Sequence, residues 1–301
     1  MDNQKTLVVV AGPTAIGKTN LAIQLAQKHF TDIVSADSRQ FYREMNIGTA
    51  KPSSDELDLV KHHLINNLSI NDSYSAGQYE RDALGILNNL FKTKDVAVLT
   101  GGSGLYIDAL CNGIDDFPVV SKEIREELKL QFTKNGIEYL KEELQKVDAD
   151  YFEKVDLHNP VRIIRALEIY QQTGNNYTHY LSNKQKPKLR SFKIKYFCLT
   201  MNRENLYQRI NGRVDSMIEQ GLVDEVKKLI PFQNNNALQT VGYKELFSHF
   251  NGKASLDEAV DQIKKNTRNY AKRQLTWFRR NPNYQWIDLD KASDPELEMD
   301  L

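Results

Sequence analysis

The sequence predicts an α/β fold: a parallel sheet with flanking helices and an inserted all-helical subdomain. Three observations carry this. Short apolar runs rich in β-branched residues alternate with amphipathic segments of helical period, the pattern of parallel strands joined by helical crossovers. The first run, TLVVVA (Thr6–Ala11), leads directly into GPTAIGKT (Gly12–Thr19), which matches the phosphate-loop spacing G-x-x-x-x-G-K-[ST] and makes the sheet P-loop NTPase-like. From Lys122 to Asp156 strand signals disappear, and Glu, Asp and Lys crowd at helical spacing.

The elements follow in order. KTNLAIQLAQKH after the loop repeats apolar residues at helical spacing, and DIVSAD (Asp32–Asp37) reads as a second strand. AGQYERDALGILNNLF is an amphipathic helix, and DVAVLTGGSGLYI gives strand, glycine turn and helix start. HNPVRIIRALEIYQQTG is a helix with Pro160 in its first turn and Gly174 as its stop. FKIKYFCLT (Phe192–Thr200) returns to strand, a long helix covers about Ser255 to Arg280, and YQWIDL closes with a short strand. The expected division is a P-loop-type core over 1–114 and 191–301, with a helical insertion over 115–190.

Of 301 residues, 40% are hydrophobic and 27% charged, with zero net charge. Such a chain has a real core and no global attraction to nucleic acid or membrane. Cys111 and Cys198 fit no C-x-x-C pattern, so a reducing cytoplasm is expected rather than a disulfide framework or zinc site. The apolar run in MDNQKTLVVVAG is too short for a secretory signal or a membrane span. The pair His62 and His63 lacks metal-ligand companions in sequence and reads as structural.

The phosphate loop comprises Gly12, Pro13, Thr14, Ala15, Ile16, Gly17, Lys18 and Thr19. Its glycines let backbone amides turn toward an anion, and the following helix adds the positive end of its dipole. Lys18 reaches terminal phosphate oxygens, and Thr19 offers a hydroxyl to Mg²⁺. An NTPase of this kind also ends an apolar strand in a magnesium-binding Asp. Here VAVLTGG ends in Thr100, Gly101 and Gly102, and no N-K-x-D motif is present. Asp37 instead ends the second strand. Carboxyl ends of neighbouring parallel strands open on one crevice, so Asp37 belongs near the loop. It could hold magnesium through water or take a proton from a nucleophile. These features alone also permit a small-molecule or nucleotide kinase.

DSRQFYREMNIGTAKP (Asp37–Pro52), HHLIN at His62, GGSGLYIDAL at Gly101 and RIIRALEIY at Arg162 resemble the tRNA dimethylallyltransferase (IPP transferase) family. So do GLVDEVKKL at Gly221, VGYKEL at Val241 and TRNYAKRQLTWFR at Thr267, and the segments occur in that family's order. The resemblance implies transfer of a dimethylallyl group from its diphosphate to the exocyclic amine of the adenosine 3′ of the anticodon. The loop would then hold an isoprenoid diphosphate, with Mg²⁺ at Thr19. Asp37 takes the place of the family's general base. Ser103 stands where the family usually carries Thr, and Arg213 would neutralise the leaving group, with Arg209 on the same helical face as a substitute. A related adenylate prenyltransferase, acting on free nucleotides, is the alternative that shares this core.

The resemblance also implies four contacts with the tRNA anticodon stem-loop. They are Asp37, Ser38, Arg39 and Gln40, joined by Ser103, around the target base; Arg125; Val161, Arg162, Ile163, Ile164 and Arg165; and Gln239, Thr240, Val241, Gly242, Tyr243 and Lys244. Two acid-free stretches fit a local nucleic-acid footprint. One, from Ile169 to Arg203, includes Lys184, Lys186, Lys188 and Arg190; the other, from Gln262 to Ile287, interleaves Tyr270, Trp277 and Phe278 with its Lys and Arg residues. No protein partner and a monomeric state are expected.

Overall fold

The computed structural model describes residues 5–114, 117–118, 120–182, 189–292, 294–296 and 299. The expected boundary at Asp115 and the basic residues Lys184, Lys186 and Lys188 lie outside them. The fold is α/β and P-loop-like. Among the described residues six parallel strands form one sheet: β1 (Thr6–Ala11), β2 (Ile33–Ser35), β3 (His62–His63), β4 (Val96–Gly101), β5 (Lys193–Thr200) and β6 (Tyr284–Asp288). Their order is β3-β2-β4-β1-β5-β6, which puts β1 inside, with Ala11 paired to Gly101 on one side and to Cys198 on the other.

An inner strand of a parallel sheet is covered on both faces, which is why β1 carries no polar residue after Thr6. Leu7, Val9 and Ala11 enter one apolar layer with Val34, Ala97, Leu99 and Cys198, while Val8 and Val10 enter the opposite layer with Ile33, Val98, Phe197 and Leu199. Burying a side chain of this size stabilises by about 1.5–3 kcal/mol. Cys111 and Cys198 are buried and unpaired. β3 departs from the sequence expectation, which gave no strand there. It has two half-buried residues at the sheet edge, too short to show a period, and His63 meets Asp32 through Nε2 at 2.7 Å.

Two helices frame the sheet's carboxyl end. Lys18–Lys28 follows the loop and buries Leu21, Ala22, Ile23, Leu25 and Ala26. Leu256–Phe278 starts at a capping box: the Ser255 hydroxyl accepts the Glu258 amide, while the Glu258 carboxylate accepts the Ser255 amide. Among the described residues no helix is long and apolar enough to cross a membrane.

The chain divides into two compact units, residues 1–112 with 189–301, and residues 113–188. The second is helical and has its own core of Leu128, Leu140, Leu144, Ile163, Ile164 and Leu167. The charged stretch after Lys122 is not one continuous helix. Lys122–Val147 leaves helical geometry at Gly136 (φ 77°, ψ −172°), and a short helix, Ala149–Phe152, follows. Buried Asp148 caps that helix by accepting the Tyr151 amide, and also accepts the amide and hydroxyl of Thr178. Pro160–Thr173 begins with Asn159 accepting the Arg162 amide and ends at Gly174.

Candidate active site

At the carboxyl ends of β1, β2 and β4 lies a cavity of about 390 Å³. Thr14, Ala15, Gly17, Lys18 and Thr19 line it from the loop, and Arg209 and Arg213 from the helix Arg203–Glu219. Asp37, Gln40, Thr100, Gly101 and Gly102 line it from the strand ends, with Tyr270 and Gln274 from the last helix. Gly17 enters its helix at φ 103°, a conformation costly for any residue with a side chain. The loop therefore forms where the strand–loop–helix reading expected it.

The cavity gathers cations. Lys18 donates from Nζ to the Pro13 carbonyl at 2.8 Å. Burial pulls its ammonium down to about 8; Asp37 works against that shift and Arg213 adds to it. Arg213 donates to the Thr14 hydroxyl, and burial lowers its pKa as well, with Asp37 opposing and Arg209 adding. Three cations thus line one cavity, and among the described residues Asp37 is the carboxylate that lines it with them. A group carrying several negative charges completes such a set.

Asp37 sits in a tight turn, its Oδ1 accepting the Arg39 amide at 2.9 Å. The Ser103 Oγ accepts the Ser38 amide at 3.0 Å and lies 3.1 Å from the Ser38 hydroxyl. Tyr270 lies near Ser103, and burial lifts its phenol to about 12. Asp37 and Tyr270 thus line the cavity, and Ser103, buried, is bonded to Ser38 beside Asp37. Arg39 and Gln40 brace the walls instead of projecting: Arg39 donates to the carbonyls of Asn236 and Ala237, and Gln40 to those of Thr49 and Ala50.

The remaining expected contact residues divide by exposure. Gln239 and Lys244 are exposed and line a second cleft of about 180 Å³, and Thr240 and Val241 are half-buried. Gly242 is buried, and Tyr243 has no exposed surface. The Tyr243 phenol donates at 2.6 Å to Glu225, whose carboxylate also accepts the amides of Asn46, Ile47 and Gly48. The Tyr243 ring is therefore a brace, not a surface contact.

In the helical unit Arg125 donates to Glu168 at 2.8 Å and Arg165 to its other oxygen at 3.1 Å. Glu168 is 3% exposed. Arg162 is exposed, and Arg165, half-buried, is paired with Glu168. Val161 is 74% exposed, but Ile163 and Ile164 are buried, so their side chains pack the core rather than meet a ligand. Sequence reasoning singled out neither Glu168 nor Gln274. The only signal for Glu168 was its position three residues after Arg165.

Among the described residues no group of three or more His, Cys, Asp and Glu side chains could hold a metal. Thr19 and Asp37 supply one hydroxyl and one carboxylate to the cavity. Mg²⁺ keeps several waters and binds through one or two carboxylates plus phosphate oxygens, so this sparse set fits it once a diphosphate is present.

A family model described as IPP transferase matches residues 40–281. A tRNA dimethylallyltransferase from Christiangramia forsetii is 50% identical over 287 residues, covering 95% of this chain and 94% of the relative. The structure resembles a crystal structure of a tRNA isopentenylpyrophosphate transferase from Bacillus halodurans, with a TM-score of 0.70, 36% identity, and coverage of 98% of this chain and 94% of that one. It also resembles a eukaryotic dimethylallyltransferase crystallised acting on tRNA, with a TM-score of 0.80, 25% identity, and coverage of 98% and 77%. A phosphate loop, a carboxylate across one cavity and this extent of similarity agree: the chain belongs to the IPP transferase family.

Proposed function

We propose that this enzyme transfers the dimethylallyl group of dimethylallyl diphosphate to the exocyclic amine of the adenosine 3′ of the anticodon in tRNA, releasing diphosphate. The observation that carries the reading is the cavity in which Lys18, Arg209 and Arg213 face Asp37. The names of the relatives point the same way.

The adenine amine is a weak nucleophile because its lone pair is delocalised into the ring. Its nitrogen attacks the allylic carbon as the carbon–oxygen bond breaks, and the bonding pair leaves with the diphosphate. The loop amides, Lys18 and Arg213 stabilise the charge that accumulates on the leaving oxygens. Asp37 accepts the proton lost by the amine. Thr19, with Asp37 nearby, would hold Mg²⁺, which would supply further charge neutralisation. The target base flips out of its loop to enter, at a cost of a few kcal/mol. Exposed Arg162, Gln239 and Lys244 offer contacts to the RNA, and the helical unit serves as a second grip on the anticodon stem-loop.

Labelled dimethylallyl diphosphate with Mg²⁺ and either bulk tRNA or AMP tests the reading. Label is expected in tRNA and not in AMP. Label in AMP makes the chain an adenylate prenyltransferase, and ATP turnover without transfer makes it a kinase.

Lys18 gives a second expected result. Its pKa in the free protein, about 8, lies below its ordinary value of 10.5 because of burial. A bound anion favours the charged ammonium and raises that pKa. Diphosphate binding near pH 8–9 should therefore take up protons at Lys18, and affinity should weaken as pH rises through this range. Calorimetry in buffers of different ionisation enthalpy reads the uptake. Lys18→Met is expected to abolish that component, and equal proton uptake in both proteins would exclude Lys18 as its source.

A further inference from the structure

One buried amide ties the two sides of the cavity together. Gln274, in the helix Leu256–Phe278, is 5% exposed. Its Oε1 accepts the Thr14 amide at 2.9 Å, and its Nε2 donates to the Gly102 carbonyl at 2.8 Å. Thr14 belongs to the phosphate loop after β1, and Gly102 to the turn after the adjacent β4, which continues into Ser103. The bridge thus spans the cradle and the acceptor side. Its fit is close: a Cβ on Gly102 would stand 2.2 Å from Nε2, so only glycine leaves room for the amide. The same helix keys into that turn on either side. Tyr270, one turn earlier, lies near Ser103. Trp277 donates to Asp108 at 2.8 Å and lies 2.2 Å from where a Gly104 Cβ would be.

Both ends of the amide are used, one as acceptor and one as donor. Methionine has neither function, and an ionised glutamate would set an oxygen against the Gly102 carbonyl. Thr14 is also the residue whose hydroxyl receives Arg213. The bridge therefore holds the loop residue on which the leaving-group arginine rests.

We propose that Gln274 is a positioning residue that sets the spacing between the diphosphate cradle and the acceptor side of the cavity. This rests on the reaction proposed above. Displacement needs nucleophile, carbon and leaving oxygen aligned, and a misplacement of about 1 Å costs about 10²-fold in rate.

The test compares wild type, Gln274→Met and Gln274→Glu in single-turnover transfer to tRNA across pH, with thermal melts at each pH. Gln274→Met is expected to lower the transfer rate about 10²-fold while KM for tRNA stays within about twofold. Gln274→Glu is expected to be as slow near pH 8 but to recover relative to wild type toward about pH 6, because burial raises a carboxyl's pKa. Its protonated oxygen then donates to Gly102 while the other accepts from Thr14. A simple packing defect has no reason to recover with acid. Wild-type rates in Gln274→Met, or no acid recovery in Gln274→Glu, would overturn the proposal. Should wild type transfer nothing, the assigned reaction fails instead, and amide exchange at Thr14 decides the bridge. Faster exchange in Gln274→Met supports it, and equal exchange overturns it.

Discussion

Asp37→Ala is expected to reduce transfer by about 10³-fold or more, while diphosphate still binds. The variant leaves the loop, Lys18 and Arg213 in place and removes the carboxylate that faces them across the cavity. It also removes the negative charge that holds the Lys18 pKa up, so that pKa should fall below its wild-type value of about 8. Diphosphate affinity near neutral pH should survive, but its loss with rising pH should begin earlier. Single-turnover transfer and diphosphate titration over pH measure both effects. Full transfer with Asp37→Ala would remove it from the reaction, and lost binding at neutral pH would make it part of the cradle.

Arg213→Ala carries the second largest expected effect, about 10²–10³-fold in transfer rate, the usual cost of deleting one donor to a developing oxyanion. Arg213 is the more enclosed of the two arginines and rests on Thr14 in the loop, whereas Arg209 is exposed. Arg209→Ala should therefore cost about tenfold or less, in keeping with a charge largely screened by solvent. Parallel rate measurements decide between them. A reversed ranking would assign the leaving-group contact to Arg209 and make Arg213 a brace for the loop.

Much of this architecture is legible in the sequence because its signals are local. The β1 run, the loop spacing and the capping of Leu256–Phe278 each fall within a few consecutive residues. Asp37 could be placed near the loop because adjacent parallel strands share one open end. What was hidden depends on partners far along the chain. Gln274 acts on Thr14, 260 residues away, and nothing around Gln274 announces it. Glu225 holds the Asn46–Gly48 turn from 177 to 179 residues away. Arg165 shows the same limit more mildly. Its charge is visible in the sequence, but its engagement with Glu168 is a matter of packing. β3 was missed because two residues carry no periodicity.

The inner place of β1 bears on how the protein is made. The earliest of the six strands in chain order needs a neighbour on each side, yet β5 begins only at Lys193. At a synthesis rate of about 5–20 residues per second, this six-residue, mostly apolar ribbon waits on the order of ten seconds or more with one edge bare. Over that interval the bare edge is open to other chains, and crowded or chaperone-poor expression should yield aggregates that nucleate from β1.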